Sequence, residues 1–159
     1  MRPFGCKIIC YDPYFRDELN QYAWVDFVEF KELLALSDII SLHAPLTKET
    51  FHLIDEEAIE KMKGDVIVIN TARGGLIDER SLINGIEAGK ISLAGLDATS
   101  LDNSVEKNYN ESIFSKYPEK IFVTPHMAWH SEESIKELQK KVALNVYNYL
   151  KNGKIIYKV

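Results

Sequence analysis

With 159 residues the chain can enclose one core but not two comfortable ones. Its composition, 46% hydrophobic and 27% charged, is that of an ordinary globular domain. A net charge of -5 excludes the basic stripe that a nucleic-acid partner requires, and no apolar run approaches the length of a bilayer crossing. The first residues also lack the layout of a signal peptide.

In chain order, the first strand is expected over Lys7–Tyr11 and ends at Asp12-Pro13. Cys6 and Cys10 fall in this apolar run, too far apart along one strand to bridge each other, and read as buried, reduced thiols of a cytoplasmic protein. A second strand is expected over Asp38–His43, and Asp55 then caps a helix carrying Ile59 and Met62 that Gly64 closes. The third strand, Asp65–Asn70, leads through Thr71, Ala72 and Arg73 to a glycine pair. Asp78 follows as the cap of a helix with Leu82, Ile83 and Ile86 on one face, ended by Gly89. The fourth strand is expected over Ser92–Asp97, an irregular loop over Leu101–Pro118, and the fifth strand over Lys120–Thr124. The last and longest helix starts at Ser131, with Glu132 and Glu133 at the positive end of its dipole and Gly153 as its stop. Its buried stripe is expected to be Ile135, Leu138, Val142, Val146 and Tyr149.

The apolar residues of these strands are continuous rather than alternating, as in Val66-Ile67-Val68-Ile69, which predicts a parallel sheet covered on both faces. Strands alternating with helices give a doubly wound α/β architecture. In such folds ligands bind beyond the carboxyl ends of the strands. Asp12, His43-Ala44-Pro45, Thr71-Ala72-Arg73, Asp97 and His126 all stand at such ends and would converge on one crevice. Strand ends are commonly polar for no functional reason, but Arg73-Gly74-Gly75 and Pro125-His126 together are more than that explanation supplies.

Three segments carry a resemblance. The runs NTARGGLID over 70–78, AGLD over 94–97 and TPHMAW over 124–129 resemble, in order and spacing, the signatures of D-isomer-specific 2-hydroxyacid dehydrogenases. The resemblance implies a Rossmann-like domain that binds NAD and serves hydride transfer between the nicotinamide and a small 2-hydroxy or 2-oxo acid. Asp12 matches the family's ribose-binding acid, whose charge disfavours the 2′-phosphate of NADP; a turn-forming Asp before Pro13 is the plain alternative. Arg73 matches the substrate-binding arginine, whose planar fork suits adjacent carboxylate and carbonyl oxygens. An arginine paired with Asp78 or Glu79 is the competing reading. His126 matches the catalytic acid–base, while His130 reads as a surface residue. The family's third catalytic member is a glutamate five residues beyond Asp97; here that position is Asp102, one methylene shorter, with Glu106 as a spare. Thr71, Ala72 and Asp97 match residues beside the nicotinamide, and His43, Pro45 and Leu46 a loop beside the adenosine. Met127 and Trp129 either border the substrate pocket or pack in the core.

A glycine-rich turn belongs about twenty residues before the ribose-binding acid, which would place it ahead of Met1. The expected sheet is therefore incomplete, lacking its first, central strand and that turn. Residues 1–153 read as a partial dinucleotide-binding domain and 154–159 as a segment returning towards an absent substrate domain. Exposed strand edges then favour a homo-oligomer, and loss of the pyrophosphate cradle predicts weak NAD binding and no activity for these residues alone. A non-catalytic module that senses dinucleotide or contacts proteins is the alternative to an enzyme.

Overall fold

The computed structural model describes residues 2–14, 22–99 and 113–157. The chain forms two compact units, Met1–Pro125 and His126–Val159.

Among the described residues, the first unit holds six strands in two sheets rather than five in one. β1 (Ile8–Cys10) pairs in parallel with β2 (Val25–Phe27), a strand the sequence reading misses. Only three residues long, with exposed Asp26 between Val25 and Phe27, β2 lacks the β-branched run that marks the others. A short helix, α1 (Phe30–Leu36), likewise unforeseen, leads into β3 (Ile39–Leu42). β3, β4 (Val66–Asn70), β5 (Ile91–Leu96) and β6 (Ile121–Val123) form the second sheet in that order, every pair parallel. Among the described residues, β1 and β3 each pair along one edge only.

Coverage on both faces is incomplete. On β4, Val66, Val68 and Asn70 are buried while Ile67 and Ile69 are half-buried; on β3, Ile40 and Leu42 are buried but Ile39 is 41% exposed. Continuous apolar character records what each face tolerates, not that both are covered in this chain.

The helices against this sheet follow their sequence signals closely. Asp55 caps α2 (Glu56–Glu60), its carboxylate accepting the Ala58 N–H at 2.8 Å. The left-handed residue after α2 is Asp65 (φ 63°), not the expected Gly64. Lys90 satisfies carbonyls at and just past the helix end, donating to Glu60 O and Met62 O at 2.9 Å each. Asp78 caps α3 (Glu79–Glu87), which buries Leu82 and Ile86 and stops at left-handed Gly89. Gly85 lets α3 approach closely: a Cβ there would stand 2.9 Å from Ile59 and 3.1 Å from Ile91. Between β5 and β6 the described residues include a 3₁₀ turn, Ile113–Lys116, where the reading expects irregular loop; it buries Phe114.

The second unit is dominated by α4 (Glu132–Asn152), capped by Ser131 and closed by left-handed Gly153 as expected. Its apolar stripe is not buried as expected: Ile135 is half-buried, but Leu138, Val142, Val146 and Tyr149 are 54–59% exposed. Periodicity aligns these residues on one side of the helix; burying that side takes a partner surface. Residues 154–157 form no strand; the Asn145 side chain holds the backbone of Ile156 and Tyr157 instead. Cys6 is exposed and outside β1, and Cys10 is half-buried, so the expected pair of buried strand thiols is not formed. Both are free thiols. Burial, and secondarily the charge of Asp12, pushes the Cys10 thiol pKa up. No helix among the described residues is long and apolar enough to cross a membrane.

Candidate functional site

Parallel pairing puts the carboxyl ends of the strands of each sheet on one side, and in the first unit Asp12, His43, Pro45, Thr71, Ala72, Arg73 and Asp97 stand at or just past strand ends. At the ends of β1 and β2, Tyr11, Asp12, Pro13, Phe27, Val28 and Glu29 line a cavity of ≈ 250 Å³. Asp12 Oδ1 accepts the Tyr14 N–H at 2.9 Å, so the carboxylate does form the turn. A carboxylate has further lone pairs, and turn formation and hydroxyl binding are compatible. Glu29 brings a second acid to the same cavity; the sequence reading misses it because it misses β2. A wider groove of ≈ 520 Å³ runs from Tyr11 over Phe30 and Leu34 to Leu53, Ala58 and Lys61. The rings of Tyr11 and Phe30 meet there at 5.3 Å.

Beyond β3, His43 is exposed and its Nε2 meets Ser41 Oγ at 2.9 Å. The next turn is held by hydroxyls: Thr50 donates to Pro45 O at 2.6 Å and accepts the Thr47 N–H at 2.8 Å. The Thr47 hydroxyl donates to Glu49 and holds that carboxyl below its ordinary pKa. Leu46 and Phe51 close over Gly75, where a Cβ would come within 3.0 Å of Leu46.

The β4 end is the most constructed part of the site. Asn70 is fully buried; its Oδ1 accepts the Ala72 N–H at 3.0 Å and its Nδ2 donates to Arg73 O at 2.9 Å. Thr71 and Arg73 are exposed and Ala72 half-buried. The Arg73 guanidinium donates to Ala72 O at 2.7 Å and, among the described residues, forms no ion pair. The pairing with Asp78 or Glu79 weighed from sequence is therefore not formed. Asp78 instead accepts from the Ser81 hydroxyl at 2.7 Å and the Arg80 N–H at 3.2 Å. The Ser81 hydroxyl is the main cause of its lowered pKa. The turn after Arg73, Gly74–Leu76, is anchored by His52 N–H to Gly75 O at 2.8 Å and Ile54 N–H to Leu76 O at 3.0 Å.

Asp97, at the end of β5, is buried, donates its N–H to Asn70 O at 2.9 Å and accepts a short hydrogen bond from the Thr124 hydroxyl. In the second unit, His126 is half-buried with φ 52°, a left-handed conformation that costs a non-glycine residue free energy and clusters at functional positions. Trp129 Nε1 donates to His126 O at 3.1 Å. Trp129 and Met127 are 53% and 46% exposed, which removes the core-packing alternative for both. His130 is exposed, as expected, against the edge of the Trp129 ring. Asp102 and the spare acid Glu106 lie outside the described residues.

The family description "D-isomer specific 2-hydroxyacid dehydrogenase, NAD binding domain" matches residues 1–128. The chain belongs to this family. It is 34% identical to glyoxylate reductase 1 of Saccharomyces cerevisiae over 98% of its own length and 43% of that protein's. Against the glyoxylate reductase of Thermococcus litoralis it is 37% identical over 93% of its length, again 43% of the relative's. The D-lactate dehydrogenase of Aquifex aeolicus, solved with NAD and lactic acid, superposes with a TM-score of 0.83 at 33% identity, over 96% of this chain and 48% of that one. The chain thus spans under half the length of these relatives, and its match to the family lies in the NAD-binding domain.

Proposed function

We propose that this chain is the NAD-binding part of an oxidoreductase that interconverts a small 2-oxo acid and its D-2-hydroxy acid. The observation that carries the reading is Arg73: a guanidinium with no ionic partner among the described residues, on a backbone clamped at the carboxyl end of a central strand. Its fork pairs with the substrate carboxylate and carbonyl. His126 is the general acid–base, protonating the carbonyl oxygen in reduction and taking the proton back in oxidation, a contribution of roughly a hundredfold to ten-thousandfold. Asp102, at the position of the family's third catalytic acid, is assigned to orient its second ring nitrogen. Bound NADH supplies the hydride.

The residues of the first unit fit the dinucleotide. Two acids in the β1–β2 cavity accept ribose hydroxyls at Asp12 and, by like charge, disfavour a 2′-phosphate, which selects NAD over NADP. The Tyr11, Phe30 and Leu34 side chains of the adjoining groove suit a flat base, and His43 and Pro45 are assigned to the adenosine side. Thr71, Ala72 and Asp97 stand at the nicotinamide side. Residues 1–153 are the dinucleotide-binding part and 154–159 lead towards the substrate domain. The exposed stripe of α4 supports a homo-oligomer, and the free thiols support a reducing, cytoplasmic location.

The test is titration of the isotope-labelled chain with oxalate, a planar 2-oxo acid analogue, in the presence of NADH. Saturable shifts at Arg73 and His126, abolished by Arg73→Ala, are expected. Shifts confined to other residues would contradict the reading.

A further inference from the structure

Val66, Val68 and Asn70 occupy alternate positions on the buried side of β4, and all three are fully buried. A third aliphatic side chain would be the cheaper occupant of position 70, since a buried amide is tolerated only when its donors and acceptor are satisfied. Asn70 satisfies them in one direction, towards the loop that ends at Arg73. Its orientation is dictated by its partners: the Ala72 N–H requires the oxygen, and Arg73 O requires the nitrogen. Neither aspartate nor leucine could make both bonds. Asn70 also reaches the neighbouring strand end, where its backbone carbonyl accepts the Asp97 N–H at 2.9 Å. The Asp97 carboxylate takes the Thr124 hydroxyl, while Thr124 N–H donates to Leu96 O at 2.9 Å. One continuous path of hydrogen bonds therefore joins the Arg73 backbone to Asn70, Asp97 and Thr124, two residues before His126.

From this path, and resting on the proposed role of Arg73, we infer that Asn70 and Thr124 are positioning residues. They fix the Arg73 loop against the end of β5, so that the guanidinium is presented to a 2-oxo acid carboxylate in one register. Neither touches substrate in this account; each acts through the backbone it holds. Groups joined in one hydrogen-bonded network couple energetically, so a change at Thr124 should be felt at Arg73 even though the two side chains do not touch.

The experiment uses the isotope-labelled 159-residue chain with oxalate as the probe. Thr124→Val removes the hydroxyl and retains the shape. It is expected to weaken oxalate binding, followed at the Arg73 Nε–H signal, by about fivefold and to speed hydrogen exchange of the Ala72 amide by about tenfold. Amides of the β4–β5 ladder such as Val68 should keep their exchange rates, and Thr124→Ser should restore both readouts. Asn70→Asp, which retains the acceptor and loses the donor, should raise Ala72 exchange less than Asn70→Ala does. The inference is overturned if Thr124→Val leaves Ala72 exchange and oxalate affinity within twofold of the unsubstituted chain, or if the whole ladder accelerates with them. Should the unsubstituted chain show no oxalate shift at Arg73, the substrate reading fails, and the exchange data alone still decide whether the path couples Thr124 to the Arg73 loop.

Discussion

Replacing Gly85 by alanine sets two effects of known sign against each other. Alanine is favoured over glycine inside a helix by about 0.8–1.0 kcal/mol. At position 85, however, the new methyl would stand 2.9 Å from Ile59 Cγ2 and 3.1 Å from Ile91 Cδ1. Carbon atoms pack best at roughly 3.5–4.0 Å, so both contacts fall well inside the repulsive wall. Neither neighbour has room to retreat, since Ile59 is 4% exposed and Ile91 is fully buried. Overpacking of this kind costs about 1–3 kcal/mol. Crowding should therefore win, leaving G85A destabilised by about 1 kcal/mol, or roughly 2–4 °C for a chain of this size. Gly64 is the internal control: a Cβ there meets nothing within 4 Å and its φ is not left-handed. G64A should stabilise by about 0.4–1 kcal/mol through the unfolded chain alone. Urea unfolding followed by circular dichroism measures both. A G85A chain as stable as the unsubstituted one would show that α3 does not depend on this close approach to seat itself against α2 and β5.

Asp78→Ala removes the cap of α3 and should cost about 0.5–2 kcal/mol at neutral pH. The Asp78 carboxyl is held below its ordinary pKa, chiefly by the Ser81 hydroxyl, so its charge-dependent contribution is present above the unfolded-state pKa and lost as pH falls through the folded one. The stability gap between D78A and the unsubstituted chain should accordingly narrow on acidification below about pH 4; a gap independent of pH would refute the charged cap. Asp12→Asn combined with Glu29→Gln should narrow any preference for NADH over NADPH by about tenfold, measured as a ratio of dissociation constants. An unchanged ratio would remove both acids from cofactor selection. Val142→Glu, on the exposed stripe of α4, should shift light scattering of the chain from an oligomer to a smaller species. If the unsubstituted chain is already monomeric, that stripe is not a self-association surface.

Local chemistry made much of the fold legible. Asp55, Asp78 and Ser131 announce helix starts because each carboxylate or hydroxyl answers an orphan backbone N–H, and each does so in the structure. Gly89 and Gly153 announce helix ends for the matching reason, their left-handed φ. The β-branched runs located four of the strands that form the main sheet to within a residue or two at each end. What stayed hidden was decided by distant partners. β2 is a strand because β1 lies beside it, and three residues carry too little pattern to say so. The division into two sheets rests on which edges meet, which no single segment encodes. The stripe of α4 was legible as a stripe, but its exposure depends on surfaces outside the helix.

The site divides in the same way. Arg73, Asp97 and His126 stand out through the motifs around them. Asn70 and Thr124 open two of those motifs, but their positioning roles arise from partners that only the fold brings together. Glu29 escaped because its strand did. Position 70 did offer one hint, a lone amide closing an otherwise aliphatic strand.

In the proposed reaction Arg73 and His126 serve one carboxylate-bearing substrate beside NAD. The most direct measurement is a crystal structure of this chain grown with NADH and oxalate. Oxalate held by the Arg73 guanidinium, with an oxygen about 3 Å from an imidazole nitrogen of His126, is the expected result. Oxalate bound elsewhere, or the two side chains on opposite sides of the ligand-bearing cleft, would contradict it.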